Sequence, residues 1–480
     1  MSSLTILIVI IAYFAVLFSV SYITGKNANN AGFFSGNRQS NWVIVALSTI
    51  GAPISAVTFV SVPGMVASAG MSYMQMALGF LVGQLLIAYV LIPLYYKMNL
   101  TSIYEYLNKR FGVVSHKTGA WLFFISKSTG AAVRLFIVCA VLQLLVFNAF
   151  KIPFIVNVLI TMAVVYSFTF RGGVRSLVWT DLLKTICLLL SIVLCIVFIL
   201  RSGVSFEGYG SSPMTRIFFF DDINDSRYFF KQFLAGVFVV IATTGLDQDM
   251  MQRTLSCKNY KDSQKNLIVG ATVQTIVIFL FLILGFILYT FASSNNIDIS
   301  GLKGDDVFPY LATGKWFPVI VGIFFVVGFI AAGNSAAGSA LTALTTSFTI
   351  DILGRSTGNS SEEQVKRTRT IVHACMAVLL GAMIYVVHLL NDDSVIQTVY
   401  KVASYTYGPL LGMFCFGMFT RLNVRDRWLP VVAIAAPLIT WVVDINSQTW
   451  FAGYTFSHER LLLNAALTFI GMLLIAKKQR

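Results

Sequence analysis

Charge is what this 480-residue chain has least of: charged residues make up 11% of it, against 57% hydrophobic. A soluble domain of this size carries roughly a quarter charged residues, so a water-exposed globule is excluded. Paired cysteines are lacking as well. Cys139, Cys187, Cys195, Cys257, Cys375 and Cys415 mostly lie inside apolar runs and none forms a C-x-x-C pair. That leaves no thiolate metal site and no disulfide framework. No basic residue precedes the first apolar run, Leu4 to Ile23, and no small-residue cleavage site closes it, so it reads as a retained span rather than a leader. Alternating segments of about ten residues, the mark of a membrane barrel, are missing. So is any cluster of His, Asp or Cys at catalytic spacing; Asp181 is the one buried acid expected, and no enzyme is indicated. His116, His373, His388 and His458 fall near run ends or in loops, so no buried histidine relay is expected. No soluble regulatory domain is expected at either end.

What the chain does have is long uncharged runs. Taking ~20 apolar residues as one helical crossing, about thirteen spans are expected, over 4–23, 42–66, 72–97, 118–149, 152–170, 176–200, 232–252, 266–292, 316–350, 369–390, 395–420, 429–446 and 461–477. The fold class is thus all-α and polytopic, with residues 1–480 forming one transmembrane domain. Alternate loops differ in charge. One set holds Lys26, Arg38, Lys97, Lys109, Arg110, Lys117, Arg171, Arg175, Arg253, Lys258, Lys261 and Lys265, and continues to Lys477, Lys478 and Arg480. The other holds scattered cations such as Lys151, Arg201, Arg227, Lys303 and Arg460. The positive-inside rule makes the first set cytoplasmic. An odd span count then places the N-terminus outside and the C-terminus inside. The net charge of +14 reflects these loops, and nucleic acid is not an expected partner. The longest outer loops, about 201–231 and 293–315, read as surface connections, being too short for separate domains.

Two spans contain helix-breaking stretches. Span 2 holds Gly51-Ala52-Pro53-Ile54-Ser55, where Pro53 lacks an N–H and clashes with an intact preceding turn. Span 7 holds Thr243-Thr244-Gly245-Leu246-Asp247. In lipid such a break survives only where it lines a cavity or binds something. Interrupted helices at equivalent positions five spans apart point to an inverted-repeat transporter. Spans 2–6, about 42–200, would form one repeat and spans 7–11, about 232–420, the other, with spans 1, 12 and 13 peripheral.

Several motifs add to this. Ser55-Ala56-Val57-Thr58-Phe59 is followed by Pro63-Gly64; Leu100-Thr101-Ser102-Ile103-Tyr104-Glu105 leads to Arg110-Phe111; Gly172-Gly173 precedes Val178-Trp179-Thr180-Asp181; Asp247-Gln248 precedes Met251-Gln252-Arg253-Thr254; and Gly408-Pro409-Leu410-Leu411-Gly412 leads to Gly417-Met418-Phe419. In this order the blocks resemble the sodium/solute symporter family, including its bacterial sodium/galactose and sodium/sialic acid members, over nearly the whole chain. The resemblance implies a leucine-transporter-type five-plus-five inverted repeat, a multi-pass protein of the bacterial cytoplasmic membrane that works as a monomer, and sodium as coupling ion. It places the cation among the carbonyls of Gly51, Ile54 and Ala332, the Ser335 hydroxyl and the supporting Asp181. Ala336 stands where the family has a second hydroxyl, and Lys184 where it commonly has Gln.

Asp181 and Lys184 are i,i+3 neighbours on one helix face, and an intramembrane lysine costs about 2.5–3.5 kcal/mol unless paired or solvated. Lys184 either pairs with Asp181, snorkels to the cytoplasm, or acts as a charge relay that makes transport proton-coupled. Ser55 and Thr58 match family positions that contact solute, with Thr243 and Thr244 facing them from span 7. Asp247 faces them too, or sits at the inner surface with Arg253. Arg134 lies in the apolar run Ala131 to Phe136, with Lys127 seven residues earlier on about the same face. The family's sialic acid members carry a carboxylate-binding arginine on this span at the position of Gly130, one turn away. Arg134 either forks onto a carboxylate or pairs with the protein. The expected function is import of a small polar solute (sugar, sialic acid or other carboxylate) with sodium, by alternating access. A proton-coupled symporter is the alternative, and a channel or membrane solute sensor the rival of another class. Solute and lipid are the only partners expected.

Overall fold

The computed structural model describes residues 3–25, 33, 40–51, 54–100, 102–170, 174–204, 212–355, 361–390, 395–451 and 453–477. Backbone polar groups in hydrocarbon must be satisfied within their own segment, and the long apolar runs are accordingly helical. In chain order these are α1 (Ser3–Gly25), α2 (Trp42–Gly51), α3 (Ala56–Gly64), α4 (Tyr73–Lys97), α5 (Val113–Leu145), α6 (Phe154–Thr169), α7 (Val174–Arg201), α8 (Phe229–Gly245) and α9 (Gln248–Thr254). There follow α10 (Tyr260–Ser294), the short α11 (Gly304–Thr313), α12 (Val319–Ile352), α13 (Glu362–Leu390), α14 (Val395–Phe419), α15 (Leu429–Ile445) and α16 (Arg460–Leu474). Among the described residues, eight helices are long and apolar enough to cross a membrane, or nine when α8 and α9 count as one bent span. By that measure the expected thirteen crossings are not reached, because several helices in the expected places are shorter or interrupted. The chain is a multi-pass membrane protein.

Helices pack through small residues, which let backbones approach where lipid supplies no hydrophobic drive. Gly79 of α4 and Gly236 of α8 face each other so closely that a Cβ on Gly236 would lie 3.2 Å from the Gly79 Cα. The Gly64 carbonyl of α3 lies 2.7 Å from a Cβ built on Gly304, and it accepts a hydrogen bond from Tyr289 of α10 at 2.8 Å.

Loops of each charge class meet at one end of the bundle. At the basic end Ser40 donates to the Ser256 carbonyl at 3.1 Å, and Arg110 donates to the carbonyls of Gly417, Thr420 and Leu422. There too β1 (Asn423–Val424) pairs antiparallel with β2 (Ala476–Lys477). At the other end Met71 donates to the Arg216 carbonyl at 2.9 Å, and Gln75 to that of Arg227 at 2.8 Å. Pro53, Thr101, Gly172, Gly173, Lys26, Arg38, Arg171, Lys478 and Arg480 lie outside the described residues.

Two expectations are corrected. His373 is not near a surface: it is buried where α13 packs on α6 and α12, its ring nitrogens 2.9 Å from Thr169 Oγ1 and 2.8 Å from Thr345 Oγ1. Asp181 is not the one buried acid either. Asp247, Asp249 and Asp351 are buried too, each compensated by partners; Asp351 accepts from Ser102 and Ser347 and lies 2.9 Å from His116 Nε2.

Candidate functional site

The two breaks border one hollow. α2 ends at Gly51 and helix resumes at Ala56, with Ile54 and Ser55 outside helical geometry. Ser55 caps α3, its Oγ accepting from the Thr58 N–H at 3.4 Å. The other break is sharper: α8 ends in a π-helical turn, Ile241–Gly245, and α9 leaves at a bend of 72°. Asp247 caps α9, its Oδ1 accepting from the Asp249 N–H at 2.9 Å. Carbonyls freed by a break must find donors. Tyr95 donates to that of Gly245 at 2.8 Å and Tyr104 to that of Leu246 at 3.0 Å, while Gln248 Oε1 accepts the Ile103 N–H at 3.0 Å.

Between the breaks lies a cavity of about 120 Å³, far above the roughly 10–15 Å³ that one water needs on that measure. Ser55, Thr58, Arg134, Thr243 and Thr244 all line it, together with Ile54 and Ala336. The sequence expectation thus gathers its solute residues around one space. Arg134 is half-buried and, among the described residues, makes no ion pair or hydrogen bond. Gly130, one turn before it, also borders the cavity, and a Cβ there would meet open space.

Lys127 differs from Arg134. Its ammonium lies 2.7 Å from Asp249 Oδ2 and 3.2 Å from each Asp247 oxygen, so it is not a second free cation for a solute. Asp247 also accepts from the Tyr407 hydroxyl at 2.5 Å. It therefore belongs to the cavity, and not to an inner-surface pair with Arg253. Arg253 turns to other acids: Nη1 is 2.6 Å from Asp181 Oδ2 and Nη2 is 3.1 Å from Asp249 Oδ1. Ser48 donates to Asp181 Oδ2 at 3.2 Å and Ser339 to Asp249 Oδ2 at 3.1 Å.

Of the expected cation residues, Ile54 borders the cavity, and Asp181, Ala332 and Ser335 are not part of its lining. Ile54 and Ala332 are buried, and Ser335 donates to Asp181 Oδ1. Lys184 is fully buried and donates to Ser335 Oγ at 3.2 Å. It neither snorkels nor forms an ion pair with Asp181 among the described residues. Asp181, Asp247 and Asp249 thus face Lys127, Lys184 and Arg253, so the formal charges cancel, as burial of ions demands. Among the described residues no His, Cys, Asp or Glu cluster fit to hold a metal occurs. Hydroxyl, carboxylate and carbonyl oxygens remain, the hard donors that suit an alkali cation.

Sequence reasoning missed Ser126, Asp249, Gln274 and Tyr407, all on the cavity wall. Ser126 Oγ is buried without a hydrogen-bond partner among the described residues. Asp249 had a local sign, four residues before Arg253 on one helix face; Tyr407 had none.

A second cavity, of about 510 Å³, lies toward the end opposite the basic loops and is lined by Arg227, Asp305, Lys401, His458 and Arg460. Tyr73 lines both cavities. Arg227 is held by Asp225 at 2.7 Å and Arg460 by Asp444 at 2.9 Å. Lys401 is exposed and has no ion pair among the described residues.

Comparison with known proteins gives this arrangement a context. The sodium:solute symporter family model matches residues 33–425. The chain is 24% identical to the sodium/sialic acid symporter NanT of Aliivibrio fischeri over 473 residues, 92% of this chain and 88% of that protein. It is 24% identical to the human sodium/iodide cotransporter over 438 residues, 88% of this chain and 66% of that one. A solved structure of a sodium-coupled sialic acid symporter, in a substrate-bound outward-open state, superposes with a TM-score of 0.83 at 19% identity, covering 99% of both chains. The fold is shared with that structure.

Proposed function

The chain belongs to the sodium:solute symporter family and is a sodium-coupled solute symporter, and from that premise we propose that its solute is a small organic carboxylate held by Arg134. One observation carries the choice. Of the cations at the cavity, Lys127 is taken by Asp247 and Asp249, whereas Arg134 presents an uncommitted guanidinium. A planar fork of donors suits a carboxylate in bidentate fashion, and an unpaired cation in a low-dielectric pocket favours an anion over a neutral sugar. The two relatives named above carry a sialic acid and iodide, both anionic cargoes. Ser55, Thr58, Thr243, Thr244 and the unpartnered Ser126 are placed to bond the hydroxyl or amide groups of the rest of the solute.

Sodium binds between the carbonyls of Gly51, Ile54 and Ala332 and the Ser335 hydroxyl, with Asp181 behind. Spans 2–6 form one repeat and spans 7–11 its inverted mate; the support is that the breaks at Ser55 and Asp247 border one cavity. Thirteen crossings put the N-terminus outside and the basic loops in the cytoplasm of a bacterial cell, with the monomer as the working unit. The wide cavity beyond Tyr73 is then the outer entrance. The inner side is shut by Lys127–Asp249 and Arg253–Asp181, which must separate when α9 moves. One sodium carried with one carboxylate moves no net charge, so the ~2.3 kcal/mol that a charge gains through ~100 mV is not available to that pair. A tenfold sodium gradient, worth ~1.4 kcal/mol, then supports a solute ratio of about ten.

The test is uptake into proteoliposomes under an imposed sodium gradient, with labelled sialic acid, a monocarboxylate and galactose compared. Carboxylate uptake that Arg134→Ala abolishes is the expected result. Preferential galactose uptake that survives Arg134→Ala would falsify the carboxylate reading, and counterflow of labelled solute separates carrier from channel and sensor.

A further inference from the structure

We infer that Lys184 is a tethered cation seated where the coupling sodium binds, and that sodium enters by displacing it; this rests on the sodium-symport reading above. The ammonium donates to Ser335 Oγ at 3.2 Å, and Ser335 donates in turn to Asp181. These are the hydroxyl and the carboxylate of the proposed sodium site. An ammonium and a sodium ion ask for the same thing, oxygen lone pairs around a single positive charge, and two like charges on the buried Ser335 oxygen repel strongly, so sodium arriving there drives the ammonium out.

Three further observations fit a displaceable occupant. The contact is longer than the ~2.7–2.9 Å of a strong charge-assisted bond, so the ammonium is weakly held. Asp181 attracts Lys184 and Arg253 repels it, while Arg253 already holds Asp181 Oδ2 at 2.6 Å. The acid is thus shared between two built-in cations. And the flexible four-carbon stem lets the ammonium swing aside with its proton and charge retained, toward Asp249, which also attracts it. Ala336, next to Ser335 in the helix, stands where the family carries a second hydroxyl and acts in the same direction. A sodium ion meets fewer oxygens and a competitor, so this chain is built for weak sodium binding and fast release inside the cell.

The experiment titrates sodium against the purified protein in detergent, read by tryptophan fluorescence, and separately against uptake in proteoliposomes. Lys184→Gln lowers the half-saturating sodium concentration about tenfold or more in both assays, the scale set by removing a like charge a few ångströms away in a partly polar interior. Lys184→Arg, which keeps the charge, stays near the wild-type value. Should Lys184→Gln fail to fold, Lys184→Met, which keeps the volume and removes the charge, carries the same expectation. Unchanged or weaker sodium binding in the neutral variants overturns the tethered-cation inference while leaving sodium symport intact. Wild-type carboxylate uptake indifferent to sodium, with no fluorescence response, overturns the symport reading beneath it.

Discussion

Arg253 and Asp181 meet at 2.6 Å with both side chains fully buried, joining α9, which follows the 72° bend after α8, to α7. Breaking one partner of such a pair leaves an unpaired buried charge, which costs about 3–5 kcal/mol, whereas removing both together is far milder. Arg253→Gln and Asp181→Asn are each expected to lower the unfolding temperature in detergent strongly, and the double variant to recover much of it. Equal, additive losses in the cycle would show that the pair is not a coupled unit.

Ser126 offers a cleaner view of the solute. Its hydroxyl is buried, lines the cavity and has no hydrogen-bond partner among the described residues, so Ser126→Ala removes no hydrogen bond among them from the solute-free protein. Thermal stability should hold or rise. If the hydroxyl bonds the solute, KM rises roughly three- to tenfold, the worth of one neutral hydrogen bond, at unchanged maximal rate. A variant with lower stability and unaltered KM would place Ser126 in the packing instead.

Much of this was legible in the sequence, for physical reasons. Apolar runs must become helices in lipid, and the run holding Gly245 bends there by 72°. Ser55, Thr58, Arg134, Thr243 and Thr244 converge because the segments that carry them face one space. What stayed hidden was the choice of partner among buried charges. Lys127 and Asp247 are 120 positions apart, and no periodicity says that Lys127 goes to acids while Arg134 stays free. The same holds for Lys184, where local spacing favoured Asp181 and the fold brought Ser335 from α12 instead. His373 was misread because distance from a run's centre does not measure burial once α13 packs against two neighbours.

Gly245 is the residue against which α4 closes on the break. A Cβ there would meet Leu91 Cδ1 at 2.6 Å and Ile87 Cγ1 at 3.0 Å. These are flexible chain ends, so Gly245→Ala should be tolerated with a modest loss. Gly245→Val adds methyls into a filled space and should cost about 1–3 kcal/mol, while disturbing the Tyr95 bond to the Gly245 carbonyl. Gly130→Ala, mid-helix where the new carbon meets nothing, is the matched control and should hold or slightly raise the unfolding temperature. A Val at 245 as stable as the Ala variant would mean that α4 yields freely at the break.

The 510 Å³ cavity lined by Lys401 bears on rate rather than affinity. Lys401 is its one exposed cation without an ion-pair partner among the described residues, since Arg227 and Arg460 are bound to Asp225 and Asp444. His458 adds no charge there at neutral pH, because burial and the adjacent Arg460 push its imidazole down to about 4. A histidine lowered in the folded state is neutral above that value, and its contribution to stability grows as pH rises from about 4 toward its ordinary 6.5, then stays level. His458 therefore brings no change of charge to the entrance from pH 5.5 to 8, and steering of an anion rests on Lys401. Lys401→Glu should slow carboxylate uptake several-fold at low ionic strength and progressively less as choline chloride is added at fixed sodium, since ~0.15 M salt screens beyond about 8 Å. Equilibrium binding of the solute at Arg134 should be nearly unchanged, and His458→Gln should leave the pH profile of uptake flat over that range. A salt-independent loss in Lys401→Glu, or a pH step near 6.5 that His458→Gln removes, would assign the entrance a different electrostatic design.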